Sequence, residues 1–101
     1  MTQEHTTVVA RNDAASRYEY LSDGELAGFI EFRQDGAVTV LTHTEVEPGL
    51  HGTGAARELA EGALENLAKL DATVRPECSY LSRFIRREGT HGVTVEWPEG
   101  H

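Results

Sequence analysis

The sequence predicts an α+β domain in which two helices pack on a mixed, mostly antiparallel sheet. Three observations point there. Short β-branched runs in the first half are divided by Asn-Asp and Asp-Gly turn pairs. The hydrophobic period then changes from strand-like to helix-like near Ala56. A brief second β run is closed by Pro76, and another amphipathic stretch follows it.

Thr6–Val9 reads as the first strand and ends toward the turn pair Asn12-Asp13. Arg17–Leu21 is the second, stopped by Ser22-Asp23-Gly24, where Asp-Gly is a strong hairpin signal. Glu25–Arg33 alternates imperfectly around Leu26, Phe29, Ile30 and Phe32, up to Gln34-Asp35-Gly36. Ala37–Val46 is the longest and most β-branched run, ended by Pro48-Gly49. Ala56, Leu59, Ala60, Ala63, Leu64 and Leu67 then trace one helical face, with Arg57, Glu58, Glu61 and Glu65 on the other. Gly62 costs this helix about 1 kcal/mol relative to Ala, which suggests close packing on the sheet. Thr73–Arg75 predicts a short strand. Ser79 is the expected N-cap of a second helix, with Tyr80, Leu81, Phe84 and Ile85 on one face and Arg83, Arg86 and Arg87 on another. It ends near Gly89, and Val93–Trp97 is a candidate last strand.

A chain of 101 residues predicts one domain over residues 1–101, with one core and a surface groove in place of a deep pocket. Nine basic against 17 acidic residues give a net charge of −8, which repels phosphate backbones and excludes nucleic acid as a partner. No apolar run is long enough to span a membrane, and the start of the chain lacks a signal-peptide pattern, so the expected location is cytoplasmic. The single Cys78 excludes an intramolecular disulfide, and His5, His91 and His101 lack metal-ligand spacing, so no metal is expected. Residues 1–50 carry a net charge of −6 and residues 51–101 a net of −2. Farther on, Arg75, Arg83, Arg86 and Arg87 oppose only Glu77, a basic patch suited to a small anion.

The most informative stretch joins the longest β run to the first helix: Pro48-Gly49-Leu50-His51-Gly52-Thr53-Gly54-Ala55-Ala56. Its glycines let the backbone bend tightly, and the helix beginning there adds unpaired N–H groups and a positive dipole end. Together they form a cradle for phosphate that needs no side-chain charge. No Gly-Lys-Ser/Thr comes after it, so this is not a Walker loop.

This strand, loop and helix resemble the acetyl-CoA-binding core of the GNAT N-acetyltransferase superfamily, and more closely its compact, YjdJ-like branch. The residues that carry the resemblance are His43-Thr44-Glu45-Val46, the loop Pro48–Gly54, the helix through Ala63-Leu64, and Pro76-Glu77-Cys78-Ser79-Tyr80 leading into Phe84-Ile85-Arg86-Arg87. It covers about residues 8 to 88 and implies a minimal GNAT-like acyl-CoA N-acyltransferase fold, with acetyl-CoA or CoA as cofactor. The superfamily loop, Gln/Arg-x-x-Gly-x-Gly/Ala, aligns with His51, Gly54 and Ala56. His51 departs from it and removes a permanent positive charge. The resemblance implies that Thr44 to Val46 receive the pantetheine arm and that His51, Gly52, Thr53, Gly54, Ala55 and Ala56 receive the phosphates.

Acetyl transfer to an amine requires loss of a proton from the amine and stabilisation of charge on the carbonyl and the leaving thiolate. His43 and Glu45 lie two apart on a strand and share a face, with Thr42, Thr44 and Val46 on the other, so either could serve as base. Alternatively both are ordinary strand residues. Cys78 precedes a helix N-terminus near Arg75, features that favour thiolate, and could accept the acetyl group. Its alternative is an inert, buried small hydrophobe. Tyr80 could protonate the leaving thiolate or simply pack in the core. Arg83, Arg86 and Arg87 could hold the CoA phosphates. The resulting expectation is an acetyl-CoA-dependent N-acetyltransferase whose acceptor is the amine of a cationic small molecule or protein. The alternative is a non-catalytic CoA-binding or protein-interaction module, and oligomeric state is left open.

Overall fold

The computed structural model describes residues 6–98. Four antiparallel strands come first: β1 (Thr7–Asn12), β2 (Arg17–Ser22), β3 (Glu25–Asp35) and β4 (Val38–Val46). Helix α1 (Ala55–Lys69) crosses to β5 (Thr73–Pro76), and α2 (Ser79–Glu88) crosses to β6 (Thr94–Val95). Both crossovers join parallel neighbours, so the sheet order is the chain order, β1 to β6. This is the expected α+β arrangement. The β2–β3 turn is formed by Asp23 (φ 50°) and Gly24 (φ 85°), whose positive φ values match the twist of the strands they join.

Three details differ from expectation. β3, with 11 residues, is longer than β4, with nine, because the imperfect alternation of its sequence hides a bulge and not a break. The cap of α2 is Cys78 and not Ser79: Cys78 keeps an extended backbone (φ −75°, ψ 127°), and its carbonyl accepts the bond from Ser82 N–H at 3.0 Å. The last strand shrinks to Thr94–Val95, after which Glu96 N–H still reaches Val74 O at 2.8 Å.

Successive crossovers in one direction, each right-handed, put both helices on the same face of the sheet. One core forms between them. Tyr18, Ile30, Phe32 and Leu41 from the sheet meet Leu59, Leu64 and Leu67 of α1 and Leu81 and Phe84 of α2. The α1 stripe begins at Ala55, with Ala56 only half-buried. Gly62 lets β1 approach, since a Cβ there would lie 2.7 Å from that of Val9.

Two features of β4 shape the open end of the sheet. Leu41 opposes Phe32 while His43 opposes Glu31, which leaves Thr42 as an extra, bulged residue whose hydroxyl donates to Glu31 O at 3.2 Å. In addition, pairing with β5 stops at Leu41 opposite Pro76. The N–H groups of Glu77 and Cys78 both donate to Leu41 O at 3.0 Å, and the two strands then part.

Candidate functional site

Beyond Leu41, β4 has β3 on one side and no strand on the other. Glu47 N–H donates to Ala27 O at 2.9 Å, which sets the phase of the antiparallel ladder. His43 and Glu45 therefore direct their N–H and C=O groups toward β3, and Thr44 and Val46 direct theirs into the gap. The Val46 carbonyl in that gap is met by the His51 ring, with Nε2 at 3.2 Å. His51 thus folds back onto the strand edge and away from the helix end.

The loop continues the gap. A single 3₁₀ turn, Pro48–Leu50, is followed by Gly52 at φ +83° and Gly54 at φ +90°, the latter capping α1. A Cβ at either glycine would find nothing within 4 Å, so the loop wraps open space that the protein does not fill. No described residue accepts from the N–H of Ala56 or Arg57, and that of Ala55 reaches only Thr53 Oγ1 at 3.4 Å. The side chains of this first turn are used elsewhere. Arg57 grips both oxygens of Glu88 at 2.8 Å, and Glu58 holds Tyr20 Oη at 3.0 Å and the Thr7 hydroxyl. The concavity is lined by main-chain donors, the chemistry that suits a phosphate.

The three catalytic candidates divide between two sides of β4. On the helix side Cys78 is half-buried against the core, and its thiol donates to Thr44 Oγ1 at 3.2 Å across the gap. On the other face His43 Nε2 lies 3.7 Å from Glu45 Oε1, beside Phe29, and both side chains are exposed. The strand separates the thiol from both bases. The arginine expected beside Cys78 is turned away: Arg75 binds Asp35 at 3.2 Å and Glu96 at 2.6 Å on the helix-free face.

A family model described as GCN5-related N-acetyl-transferase matches residues 17–92, from β2 through both helices. The chain belongs to the GCN5-related N-acetyltransferase family. No curated protein matches the sequence. The match spans the gap, the glycine loop and Cys78, the features assembled above.

Within this acetyltransferase-family domain the α2 arginines point different ways. Arg86 lies over the Trp97 ring at 4.3 Å, toward β6. Arg87 sits 3.4 Å from Glu88, which Arg57 ties to the start of α1, so this end of α2 adjoins the glycine loop. Arg83 is exposed on the same side of the helix, one turn earlier. Tyr80 is half-buried, and burial pushes its phenol above the usual value against the opposing fields of Arg87 and Arg57. It therefore stays protonated at neutral pH. Among the described residues no cluster of side chains is arranged to hold a metal. No described helix is long and apolar enough to cross a membrane.

Sequence reasoning missed one component. A groove of about 580 Å³ opens where β3 begins and β4 ends, walled by Leu26, Phe29, Glu45, Val46, Glu47 and His51. The outward spacing of Glu45 and Glu47 was its only sequence signal.

Proposed function

We propose that this domain binds acetyl-CoA and transfers the acetyl group to the amine of a cationic acceptor. The observation that carries this reading is the unpaired edge of β4 running directly into a loop of unpaired N–H groups. Amide-bearing chains dock on such an edge by main-chain hydrogen bonds, and phosphates dock on such a loop. When bound, acetyl-CoA supplies an acetyl group activated as a thioester.

The chain's own residues supply the rest. The N–H groups of Ala55, Ala56 and Arg57, with Gly52 and Gly54, bind the pyrophosphate, and Arg83 and Arg87 add charge at the rim. The main-chain groups of Thr44 and Val46 orient the arm, and His51 yields the Val46 carbonyl as it enters. Glu45 or His43 accepts the proton of the acceptor ammonium at Oε1 or Nε2. On the other side of the strand the Tyr80 hydroxyl, kept protonated by burial, can donate to the departing thiolate. Cys78, hydrogen-bonded to Thr44, lines that side, and no described base touches its sulfur to prepare it for covalent transfer. This favours direct attack by the amine, with positioning as the main contribution.

A second reading, a CoA-binding module without turnover, is favoured by the exposure of His43 and Glu45 to solvent. Calorimetric titration with acetyl-CoA, followed by a thiol-release assay over cationic amines, separates the two. Binding with release of free CoA supports transfer, and binding without release supports the module. No binding at millimolar acetyl-CoA sinks both. Cys78→Ala is expected to keep its turnover; complete loss in a folded variant would restore the covalent route.

A further inference from the structure

We infer that the groove beside β4 is the acceptor site and that it selects a linear aliphatic diamine or longer polyamine; its role as acceptor site rests on the transfer reading above. The groove does not end at Glu47. A second hollow of about 360 Å³, reaching Ser22, Glu25 and Leu50, shares Leu26, Ala27 and Glu47 with the first. The two form one trough running from the catalytic strand to the β2–β3 turn.

Its chemistry is uneven in a useful way. Asp23, Glu25, Glu45 and Glu47 line it, and among the described residues no lysine or arginine does. Asp23 is occupied by the N–H of Thr6 at 2.9 Å. Glu25 and Glu47 carry no ion pair to a described residue, which leaves them available to a ligand. Glu45 and Glu47 are two residues apart on extended backbone, roughly 7 Å along the strand. Two ammonium groups joined by a short alkyl chain match that separation, with Glu25 in line for a third.

Between the charges the trough is apolar. Leu26, 40% exposed, and Ala27 line it where the two hollows meet. Methylene groups would cover Leu26 and gain by leaving water. Phe29 contributes a wall and not an open aromatic face, because Arg17, paired with Glu19, already lies 5.2 Å from its ring centroid. A monoamine would satisfy Glu45 and leave Glu47 and Glu25 without a cation. An anionic acceptor would meet three carboxylates. The reacting end is fixed by continuity: Thr44 and Val46 line the trough and also present their main-chain groups to the gap.

Calorimetric titration of the full chain at low ionic strength, with and without CoA, tests this directly. The probes are α,ω-diaminoalkanes of increasing length, n-alkylamines of matched length, and a lysine amide acetylated on its α-amine. A diamine should bind at least about tenfold more tightly than the matched monoamine, the scale of one charge-assisted hydrogen bond. Glu47→Gln should remove most of that preference, and Glu65→Gln, an equal charge change on α1, should leave it intact. Equal affinity for diamine and monoamine, or preference for the lysine amide, overturns the inference whether or not CoA binds. Diamine binding in a protein that ignores CoA would keep the trough and overturn the transfer reading alone.

Discussion

Along β4, Val38–Leu41 has a strand on either side, whereas Thr42–Val46 has only β3. In the first half Val40 and Leu41 are fully buried, Leu41 in the core and Val40 on the opposite face between its register partners Arg33 and Arg75. In the second half His43 and Glu45 are exposed, and the main chain of Thr44 and Val46 faces a gap. The first half anchors the fold. The second gives up a hydrogen-bonding neighbour, and the site consists of what that neighbour would have covered.

Mutations should therefore separate stability from binding according to the half they fall in. The largest effect is expected for Leu41→Ala, which should cost roughly 2–5 kcal/mol in urea unfolding, with acetyl-CoA affinity of the folded fraction unchanged. A parallel loss of affinity would show that the two halves are not separable. Next comes Gly54→Ala. A non-glycine residue at φ +90° costs about 1–2 kcal/mol, and the added methyl enters the phosphate cradle, so affinity should fall about tenfold or more. Gly49→Ala, with no positive φ to hold and open space around it, is the control and should bind normally.

Two threonines sharpen the contrast. Thr39, buried in the paired half, donates to Gln34 Oε1 at 3.1 Å, and Thr39→Val should lose about 0.5–1.5 kcal/mol of stability without altering thiol release. Thr44→Val replaces the hydroxyl that borders the gap, where the arm is proposed to lie, with a methyl group, and should lower thiol release with a smaller change in stability. The smallest effect is expected at Glu88. Its carboxyl is held below the usual carboxylate value, chiefly by the hydrogen bond from Arg57. A depressed value in the folded state means the pair contributes above the ordinary carboxylate range and fades as pH falls through the lowered one. The Tm difference between wild type and Glu88→Gln should thus be present at neutral pH and vanish in acid; persistence in acid would assign it to packing.

Much of this was legible because it is local. Asp23-Gly24 announced its hairpin, Leu59 to Leu67 their helix face, and Gly52 and Gly54 the open loop. What could not be read depends on partners distant in sequence. Cys78 and Thr44 are 34 residues apart, and Arg57 and Glu88 are 31 apart, so their contacts exist only once both crossovers are placed. Arg75 illustrates the reverse error: three residues from Cys78 in the chain, it lies on the other face, bound to Asp35 and Glu96. The trough was hidden for the same reason, since it joins the β2–β3 turn to the end of β4.

The bulge at Thr42 works like a frameshift in the pattern of the sheet. Ahead of it, odd-numbered residues such as Leu41 face the helices; after it, odd-numbered His43 and Glu45 face away from them. Straightening the strand with Thr42 kept in it would restore a single frame, carry the imidazole and the carboxylate under the helices, and turn Thr44 and Val46 outward. Deleting Thr42 itself would close the bulge and leave every other side chain on its present face, so the groups that the strand offers to a ligand should survive the loss of this residue.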